Sequence, residues 1–571
     1  MTTVIYKKMK RLGVCSLLLP LSTLLLTTSC NDFLDILPMN DVVLENFWTE
    51  KADVNSVVNS CYEALQNSDV QQRMGIWGEL RSDNMVVGSN VPNEVNEILK
   101  ENLLESNTMC DWSKFYTVIN RCNTVCHYAP QVAALDPNYT EDELRANIAE
   151  VSTLRALCYF YLIRTFRDVP YTTQPSIDDS QNYVLPATKF DDVLDSLITN
   201  LEEVKDDAVR RYYTDDSPSA YQNSSRVTRW FTYTLLADLY LWKGDYDNAI
   251  KYCDRVIDFK RQQYEEMLDR EGKLDNIELY DGIPLIMERK NGSTTCGNFY
   301  NEMFGKGNGF ESIFEIYYRA NQGLTNSWVN SYYGNRNNVL GRLAAPAFLF
   351  ENVAEGKNQL FKAKDCRAYE AMQTSNSSNA IVKYTRNGDL TFSTQNVRSI
   401  ASLNLSAQRR SDSDANWIIY RLSDVLLIKA EAEIARGGDD FTDAFLLINR
   451  LNKRALGITQ AAQSADTLKL DDYAKSQAKM EDLLIDERQR EFLFEGKRWY
   501  DLVRWARRDG NTRRLTGYAS MKYQEGVNVI KIKLSDPNYI YFPYAKKELK
   551  VNPLLTQNPA FNKGENTQLT K

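Results

Sequence analysis

The sequence predicts a mainly α-helical fold of stacked helix pairs that carries a large loop-rich insertion with a few short strands. Three features predict it. Apolar residues recur at helical spacing over much of the 571-residue chain. Short glycine-containing turns join successive helical segments. Residues 260–410 differ, because they are rich in Gly, Asn, Ser and Tyr and contain only short extended-looking runs.

The N-terminal segment has the pattern of a secretory signal. Basic residues at positions 7–11 precede the apolar run Val14–Leu26, which is short and interrupted for a membrane-spanning helix. Small residues then lead to Cys30, an order that resembles a bacterial lipobox, although Thr27 stands where leucine is usual. We expect residues 1–29 to be a lipoprotein-type signal peptide and Cys30 to carry the lipid that tethers the chain to a membrane. A plain cleaved signal with an incidental cysteine is the alternative.

Two helix pairs are recognisable from their spacing. The segment RVTRWFTYTLLADLYLWKGDY ends at a Lys243-Gly244 turn, and the next segment places its apolar residues on one face (Tyr246, Ala249, Ile250, Cys253, Val256 and Ile257). This arrangement is typical of a tetratricopeptide-type hairpin. The pattern recurs around the Gly437-Gly438 turn, and residues 148–166 are similar to the first helix of such a pair. We expect the pairs to stack into a right-handed scaffold.

Composition and cysteine usage exclude several classes of protein. A net charge of -8 and a pI near 5.2 are unsuited to nucleic-acid binding, which requires a basic face. The cysteines are scattered, so we expect a fold that does not depend on a disulfide framework. Cys122, Cys126 and His127 have the spacing of metal ligands, but Cys122 and Cys126 also share one face of a probable helix. We favour a buried helical face, and expect no metal and no cofactor.

Catalytic motifs are nearly absent from the sequence. His127 is the single histidine, and no metalloprotease, P-loop or nucleophile-elbow motif occurs. A glycosidase needs only a pair of carboxylates, which 76 acidic residues can always supply. Because no particular pair is marked, we expect a binding protein rather than an enzyme.

One charged cluster lies inside an apolar helical pattern. Charged residues lie among Phe, Leu and Trp, with the glutamates at i+4 steps on one face and arginines on the adjacent face (Glu487, Arg488, Arg490, Glu491, Glu495 and Arg498). Acid–base catalysis is one interpretation. We favour a structural ion-pair network that fixes this helix to a neighbour.

The segment ERQREFLFEGKRWYDLVRW, Glu487 to Trp505, closely resembles the signature of the SusD/RagB family, nutrient-binding outer-membrane lipoproteins of Bacteroidetes. Further resemblances follow in the family's order: CNDFLD from Cys30, WGELRSDN from Trp77, YRLSDV from Tyr420, and FPYAKKELKVNPLLTQNPAF near the C-terminus. Departures in that last segment are conservative, at Ala545, Ala560 and Phe561. The resemblance covers essentially the whole mature chain.

The resemblance implies a fold and a role. Members of the family have tetratricopeptide-like helix pairs with a loop-rich face. They cover a TonB-dependent SusC-like porin as a lid and deliver captured ligand for import. We therefore expect an exterior-facing, outer-membrane lipoprotein with four regions: the signal peptide 1–29, an N-terminal region 30–259, the ligand-binding insertion 260–410 and a C-terminal region 411–571.

Glycan binding predicts loop aromatics beside polar side chains, because rings stack on sugar rings while amides, carboxylates and arginines bond hydroxyl groups. The candidate residues are Trp328, Tyr332, Tyr333, Tyr300, Phe299, Trp77, Arg81, Asp83 and Asp41. For WGELRSDN, a scaffold role is the stronger alternative, whereas Trp328 lies in a polar loop. Peptide capture is the second function, since part of the family serves peptide uptake. The 33 tyrosines favour glycan without deciding between the two.

Overall fold

Helices make up most of the protein in the computed structural model, so the predicted fold class is confirmed. The structure describes residues 47–177, 183–214, 219–289, 295–334, 340–375, 378–386, 392–393, 410, 412, 414–458 and 466–562. The predicted signal peptide, Cys30 and Asp41 lie outside the described residues. In the part of the chain that is described, no helix is long and apolar enough to cross a membrane.

The helices and strands are numbered in chain order. The helices are α1 Lys51–Leu65, α2 Ser68–Gly75, α3 Asn93–Leu99, α4 Ser113–Leu135, α5 Glu141–Phe166, α6 Phe190–Val204, α7 Gln222–Ser225, α8 Arg229–Lys243, α9 Tyr246–Glu271, α10 Asn298–Tyr300, α11 Ser327–Tyr332, α12 Ala347–Phe350, α13 Cys366–Ala371, α14 Leu422–Arg436, α15 Thr442–Ala455, α16 Leu470–Tyr473, α17 Gln477–Phe492, α18 Arg498–Arg508, α19 Arg513–Ala519, α20 Val527–Leu534 and α21 Lys546–Val551. The strands are β1 Val86–Val87, β2 Val169–Pro170, β3 Ala187–Thr188, β4 Ile277–Tyr280, β5 Ile283–Ile286, β6 Thr295–Cys296, β7 Ser312–Ile316, β8 Leu343–Ala345, β9 Met372–Ser375, β10 Ser378–Ile381, β11 Phe392–Ser393 and β12 Trp417–Arg421.

The long helices pack in series. Neighbours follow the order α1, α4, α5, α6, α8, α9, α14 and α15, and α17 packs against α14 and α15. The predicted turn between α8 and α9 is present: Gly244 has φ +82°, and the Asp245 side chain accepts a hydrogen bond from the Asn248 N–H at 3.2 Å. This pairing of a left-handed C-terminal glycine with an N-cap aspartate ends one helix and starts the next.

The insertion contains short strands, as predicted, but it begins later than the sequence indicates, because α9 continues to Glu271. Its strands pair with strands of both flanking regions. Strand β8 lies between β1 and β10 in a four-stranded sheet, and β7 pairs antiparallel with β12, with Trp417 opposite Ile316. The insertion is therefore joined by sheet hydrogen bonds to the chain before and after it.

Two of the sequence signatures meet at a glycine contact. A Cβ on Gly78 would lie 1.8 Å from the carbonyl oxygen of Gly496, so neither segment could approach the other if Gly78 carried a side chain. Next to this contact the Glu79 carboxylate accepts the backbone N–H groups of Lys497, at 3.0 Å, and Phe494, at 3.3 Å. Glu79 thereby caps the start of α18 from a segment more than 400 residues away.

We predict that Gly78→Ala destabilises the protein by more than about 3 kcal/mol, because the added methyl group overlaps backbone that cannot move aside. Urea unfolding followed by circular dichroism measures the change. Gly517→Ala is the matched control: Gly517 lies in α19 with nothing within 4 Å of its Cβ position, so this substitution should stabilise by roughly 0.5–1 kcal/mol. Equal unfolding midpoints for Gly78→Ala and the native chain would contradict the prediction.

Candidate functional site

The WGELRSDN segment lies in the interior. Trp77 is 0% exposed; its ring stacks on Phe115 with centroids 5.0 Å apart, and its Nε1–H donates to the Met109 carbonyl at 2.8 Å. Phe166 contacts the indole in a T-shaped arrangement, so the ring and its one polar atom are both engaged inside the protein. The scaffold interpretation of Trp77 fits this position.

Arg81 and Asp83 are buried in ion pairs. The Arg81 guanidinium donates to Glu101 at 2.8 Å and to the carbonyl oxygens of Tyr539 and Ile540, while lying 4.3 Å from the Trp499 ring centre. Asp83 accepts from Arg498 at 3.0 Å. Both residues are 0% exposed, so their hydrogen bonds hold distant segments together instead of facing a ligand.

Trp328 packs on α2, contrary to the prediction of an exposed platform in a polar loop. Its exposed fraction is 0%, and a Cβ on Gly75 would lie 2.3 Å from its ring. Tyr332 stacks on the same indole at 4.3 Å, and the Tyr333 hydroxyl donates to the Phe494 carbonyl at 2.8 Å. The three rings fill the space above a glycine, which is why a polar-flanked sequence is nevertheless buried.

Phe299 and Tyr300 are also interior residues. The Arg454 guanidinium lies 3.8 Å from the Phe299 ring centre, and the Tyr300 hydroxyl donates to the Val382 carbonyl at 3.1 Å. Their exposed fractions are 3% and 0%. The prediction that these aromatics are open to a sugar is therefore wrong for this conformation, because a stacking surface must be accessible.

The charged residues of the signature form the predicted ion-pair network, which is confirmed. Glu491 on α17 accepts hydrogen bonds from Arg367 of α13, Arg421 of β12 and Arg454 of α15. Burial alone would raise the pKa of Glu491, but these guanidinium groups outweigh it and hold that pKa well below its usual range. In the same way Glu495, paired with Arg421 and Lys383, has its pKa lowered to about 2 against the effect of burial.

A second buried pair consists of two carboxyl groups. Glu288 and Glu370 are 1% and 4% exposed and hydrogen-bond to each other. Burial, followed by the neighbouring Glu288 charge, raises the pKa of Glu370 well above its usual range. Two carboxyl groups can act on a glycosidic bond only where a sugar reaches them, and this pair is enclosed.

The cysteines of the possible metal motif lie on α4. Cys122 is fully buried and Cys126 is half-buried, which fits the interpretation of a buried helical face. Within the described ranges, no three or more His, Cys, Asp or Glu side chains gather in a way that could hold a metal ion.

An open cleft of about 610 Å³ combines aromatic and polar side chains. We define the 210–313 cleft by three segments that line it: residues 210–214 with 220–230, residues 259–277, and residues 302–313. Its walls include Tyr213, Phe259 and Phe310, all partly exposed. Arginine, asparagine, glutamine and glutamate side chains lie beside them (Arg210, Arg211, Asn223, Gln263 and Glu266). Rings next to hydroxyl-bonding groups are the combination that sugar recognition requires.

Tyr213 is the ring of the cleft best placed for stacking. The Asn223 side chain accepts the backbone N–H of Tyr213 at 3.1 Å and donates to its carbonyl at 2.8 Å, so the backbone is fixed from both sides. These two bonds fix the backbone at Tyr213, and its side chain stays partly exposed where it lines the cleft.

A layered stack forms another wall of the cleft. The Trp230 and Phe259 rings are parallel, with centroids 3.9 Å apart. Arg210 lies 5.7 Å from the Trp230 centroid, Arg211 lies 5.3 Å from that of Phe259, and Arg211 pairs with Glu266 at 2.7 Å. The cations rest on the rings and present N–H donors at the surface.

Lys260 lies beneath this wall. Its Nζ donates to the Ser312 carbonyl at 3.3 Å and to Gln263 at 3.2 Å, and burial lowers its pKa to about 7, with Glu311 opposing the shift. These bonds join α9 to the residue 302–313 wall. Lys260 thus links two of the three segments that line the cleft.

The residues of this cleft are not among the candidates that the sequence predicts. The signal that could have found Tyr213 is the stretch RRYYTDDSPSAYQN, in which aromatics alternate with charges and turn formers outside any helical period. Phe310 follows a glycine-rich stretch, GKGNG, and an aromatic residue in such a stretch seldom belongs to a helix. Neither signal shows that the two segments face each other.

Comparison with known proteins identifies relatives over most of the chain. A family model described as "SusD family" matches residues 300–561, and one described as "Starch-binding associating with outer membrane" matches residues 32–241. SusD-like protein P38 of Formosa agariphila is 25% identical over 514 residues, covering 87% of this chain and 92% of that protein. Starch-binding protein SusD of Bacteroides thetaiotaomicron is 27% identical over 402 residues, covering 64% and 65% of the two chains.

Solved structures share the fold. A SusD superfamily protein from Bacteroides vulgatus superposes with a TM-score of 0.64 at 18% identity, covering 90% of this chain and all of that one (100%). Surface glycan-binding protein A from Bacteroides uniformis gives a TM-score of 0.60 at 19% identity, covering 89% and 99% of the two chains. At these identities the likeness establishes the fold alone.

We predict that Glu370→Gln stabilises the protein increasingly as pH rises. Because the folded-state pKa of Glu370 is raised, its protonated form stabilises the fold at pH values below the unfolded pKa of about 4.3. That contribution is lost as pH rises through the folded pKa, whereas glutamine stays neutral. Urea unfolding should give similar stabilities for the two chains at pH 4.5 and a more stable variant at pH 8.5. A stability difference that does not change with pH would contradict a raised pKa of Glu370.

Proposed function

Because this chain belongs to the SusD/RagB family, we propose that it captures oligo- or polysaccharide at the outer membrane and passes it to a partner porin. The family models and the starch- or glycan-binding relatives support a glycan ligand and an association with the outer membrane. A lipid on Cys30 would hold the chain at the exterior surface. The partner implied by the family is a TonB-dependent SusC-like porin.

The 210–313 cleft is the site that we propose for the glycan. The single observation that supports this assignment is Tyr213, a partly exposed aromatic residue whose backbone is bonded by Asn223, in a cleft lined with hydrogen-bonding side chains. A sugar ring stacked on Tyr213 would lie near the guanidinium groups of Arg210 and Arg211, which donate to hydroxyl oxygens. Gln263 and Asn223 offer amide groups at the same opening.

Binding without catalysis fits this site. Glu266 is paired with Arg211, and Glu302 is paired with Lys306 at 2.7 Å, so both carboxylates of the cleft are held by cations. The family's role in binding agrees with this arrangement.

We predict that Tyr213→Ala weakens glycan binding about tenfold, equivalent to about 1.4 kcal/mol, because a stacking face is lost without disturbing the fold. Isothermal titration calorimetry of a soluble form that begins at Asn31, against plant, host and microbial polysaccharides, measures the affinity. Tyr213→Phe should keep most of it, since stacking needs the ring and not the hydroxyl group.

Tyr183→Ala is the matched control, because Tyr183 is an exposed tyrosine (50%) that does not line the cleft. If Tyr213→Ala binds a glycan with the same affinity as the native chain, the site does not lie in this cleft. The proposed capture of glycan would still stand. Binding of peptides in place of every polysaccharide would overturn the proposed ligand.

A further inference from the structure

A second open cleft, of about 640 Å³, runs beside helix α17. We name it the α17 cleft; it is lined by positions within residues 356–365, 468–473 and 479–490, together with Asn452 of α15. None of the described residues that line it also lines the 210–313 cleft. The two clefts are therefore separate, and the proposed glycan site leaves the α17 cleft without a role.

Asn452 brings an amide oxygen without a partner to this cleft. The residue is 3% exposed, and its Oδ1 atom accepts no hydrogen bond from any described residue. A buried polar atom that lacks a hydrogen bond destabilises the fold, so its presence calls for a physical reason. Because Asn452 lines an open cleft, a bound ligand can supply the missing donor.

Two carboxylates of α17 in the same cleft also lack partners. Asp482 is exposed and Asp486 is partly buried, and neither forms a hydrogen bond or an ion pair within the described part of the chain. Residues four apart on a helix have Cβ atoms about 5–6 Å apart, so one ligand group can contact both. Burial raises the pKa of the Asp486 carboxyl, and the nearby Arg490 charge offsets this only in part. A cation bound beside Asp486 would favour its charged form.

The cations that line the cleft already donate to protein oxygens. Arg490 donates to Glu487 and to a backbone carbonyl oxygen, each at 2.9 Å. Lys479 donates to another backbone carbonyl oxygen at 3.1 Å, and Lys362 to a third. The groups of the cleft that are left without partners are therefore acceptors. Such a cleft suits a ligand that brings hydrogen-bond donors.

We propose that the α17 cleft binds a primary ammonium group, carried by an amino sugar or by a lysine side chain. An ammonium ion has three N–H donors and no acceptor, which matches Asn452 Oδ1 and the two carboxylates. Tyr473, partly exposed in the same cleft, adds an aromatic ring, and such rings attract ammonium ions. A metal ion is a poorer match, because among the described residues no three or more His, Cys, Asp or Glu side chains could hold one.

The test is isothermal titration calorimetry of the full exported chain, extracted in detergent, at about pH 6, where primary amines carry a proton. Two matched pairs of probes are titrated: a glucosamine oligomer against its N-acetylated form, and trilysine against trilysine acetylated on its side chains. We expect the amine-bearing member of at least one pair to bind, and its acetylated partner to bind at least about tenfold more weakly. Binding of the glucosamine oligomer alone assigns the cleft to amino sugars, and binding of trilysine alone assigns it to peptides.

Three variants place the binding in the α17 cleft. Asp486→Asn should weaken binding of the amine probe about tenfold, because one charge contact is lost. Asp443→Asn is the matched control: Asp443 is an exposed aspartate of α15 that does not line the cleft, so the same change in net charge should leave the affinity unaltered. Asn452→Leu should weaken binding and raise the urea midpoint of unfolding, since it removes the unpartnered oxygen.

Three results would overturn the proposal. They are no binding of either amine probe, equal binding of amine and acetylated probes, and equal losses of affinity in Asp443→Asn and Asp486→Asn. The last result would show attraction to an acidic surface and not a site. Tyr213→Ala should bind the amine probes as the native chain does, so this inference and the proposed glycan site fail separately.

Discussion

Glu491 must remain charged in the core, and much of the structure depends on that requirement. Its three guanidinium partners come from α13 in the insertion, from β12 and from α15 of the helix series. Removing one partner of such a buried network costs about 3–5 kcal/mol, since the remaining charge is left uncompensated. The signature residues therefore fix the insertion, a central strand and the helix series to one another. Their role is in the fold and not in contacts with a ligand.

The same constraint explains the other signature segments. Glu79 caps α18, Asp83 pairs with Arg498, and Gly78 lets the two segments touch. The side chains that make these contacts are buried and bonded inside the protein. We propose that the ligand is recognised instead by surface segments, those that form the 210–313 cleft. In this fold, strong sequence signatures and the proposed binding site lie in different places.

Local sequence patterns were sufficient to predict some features of the structure and insufficient to predict others. Helical spacing and glycine turns predicted the α8–α9 and α14–α15 pairs, and charges inside an apolar period predicted the network around Glu491. The burial of Trp328 could not be predicted, because it depends on the missing side chain of Gly75, some 250 residues earlier. Tyr213 and Phe310 were not predicted as site residues for the same reason, because they come to line one cleft only in the tertiary fold. The start of the insertion was misplaced because α9 stays helical to Glu271 on a polar, exposed continuation.

The signature segments support the fold, and we propose that the 210–313 cleft binds the glycan. Hydrogen–deuterium exchange with and without a saturating glycan distinguishes these two roles. We expect slower exchange on binding in residues 210–214, 220–226 and 302–313, and unchanged exchange in residues 77–84 and 487–498. Protection concentrated at residues 77–84 and 327–333, with the cleft segments unchanged, would contradict this division and place the site at Trp77 and Trp328.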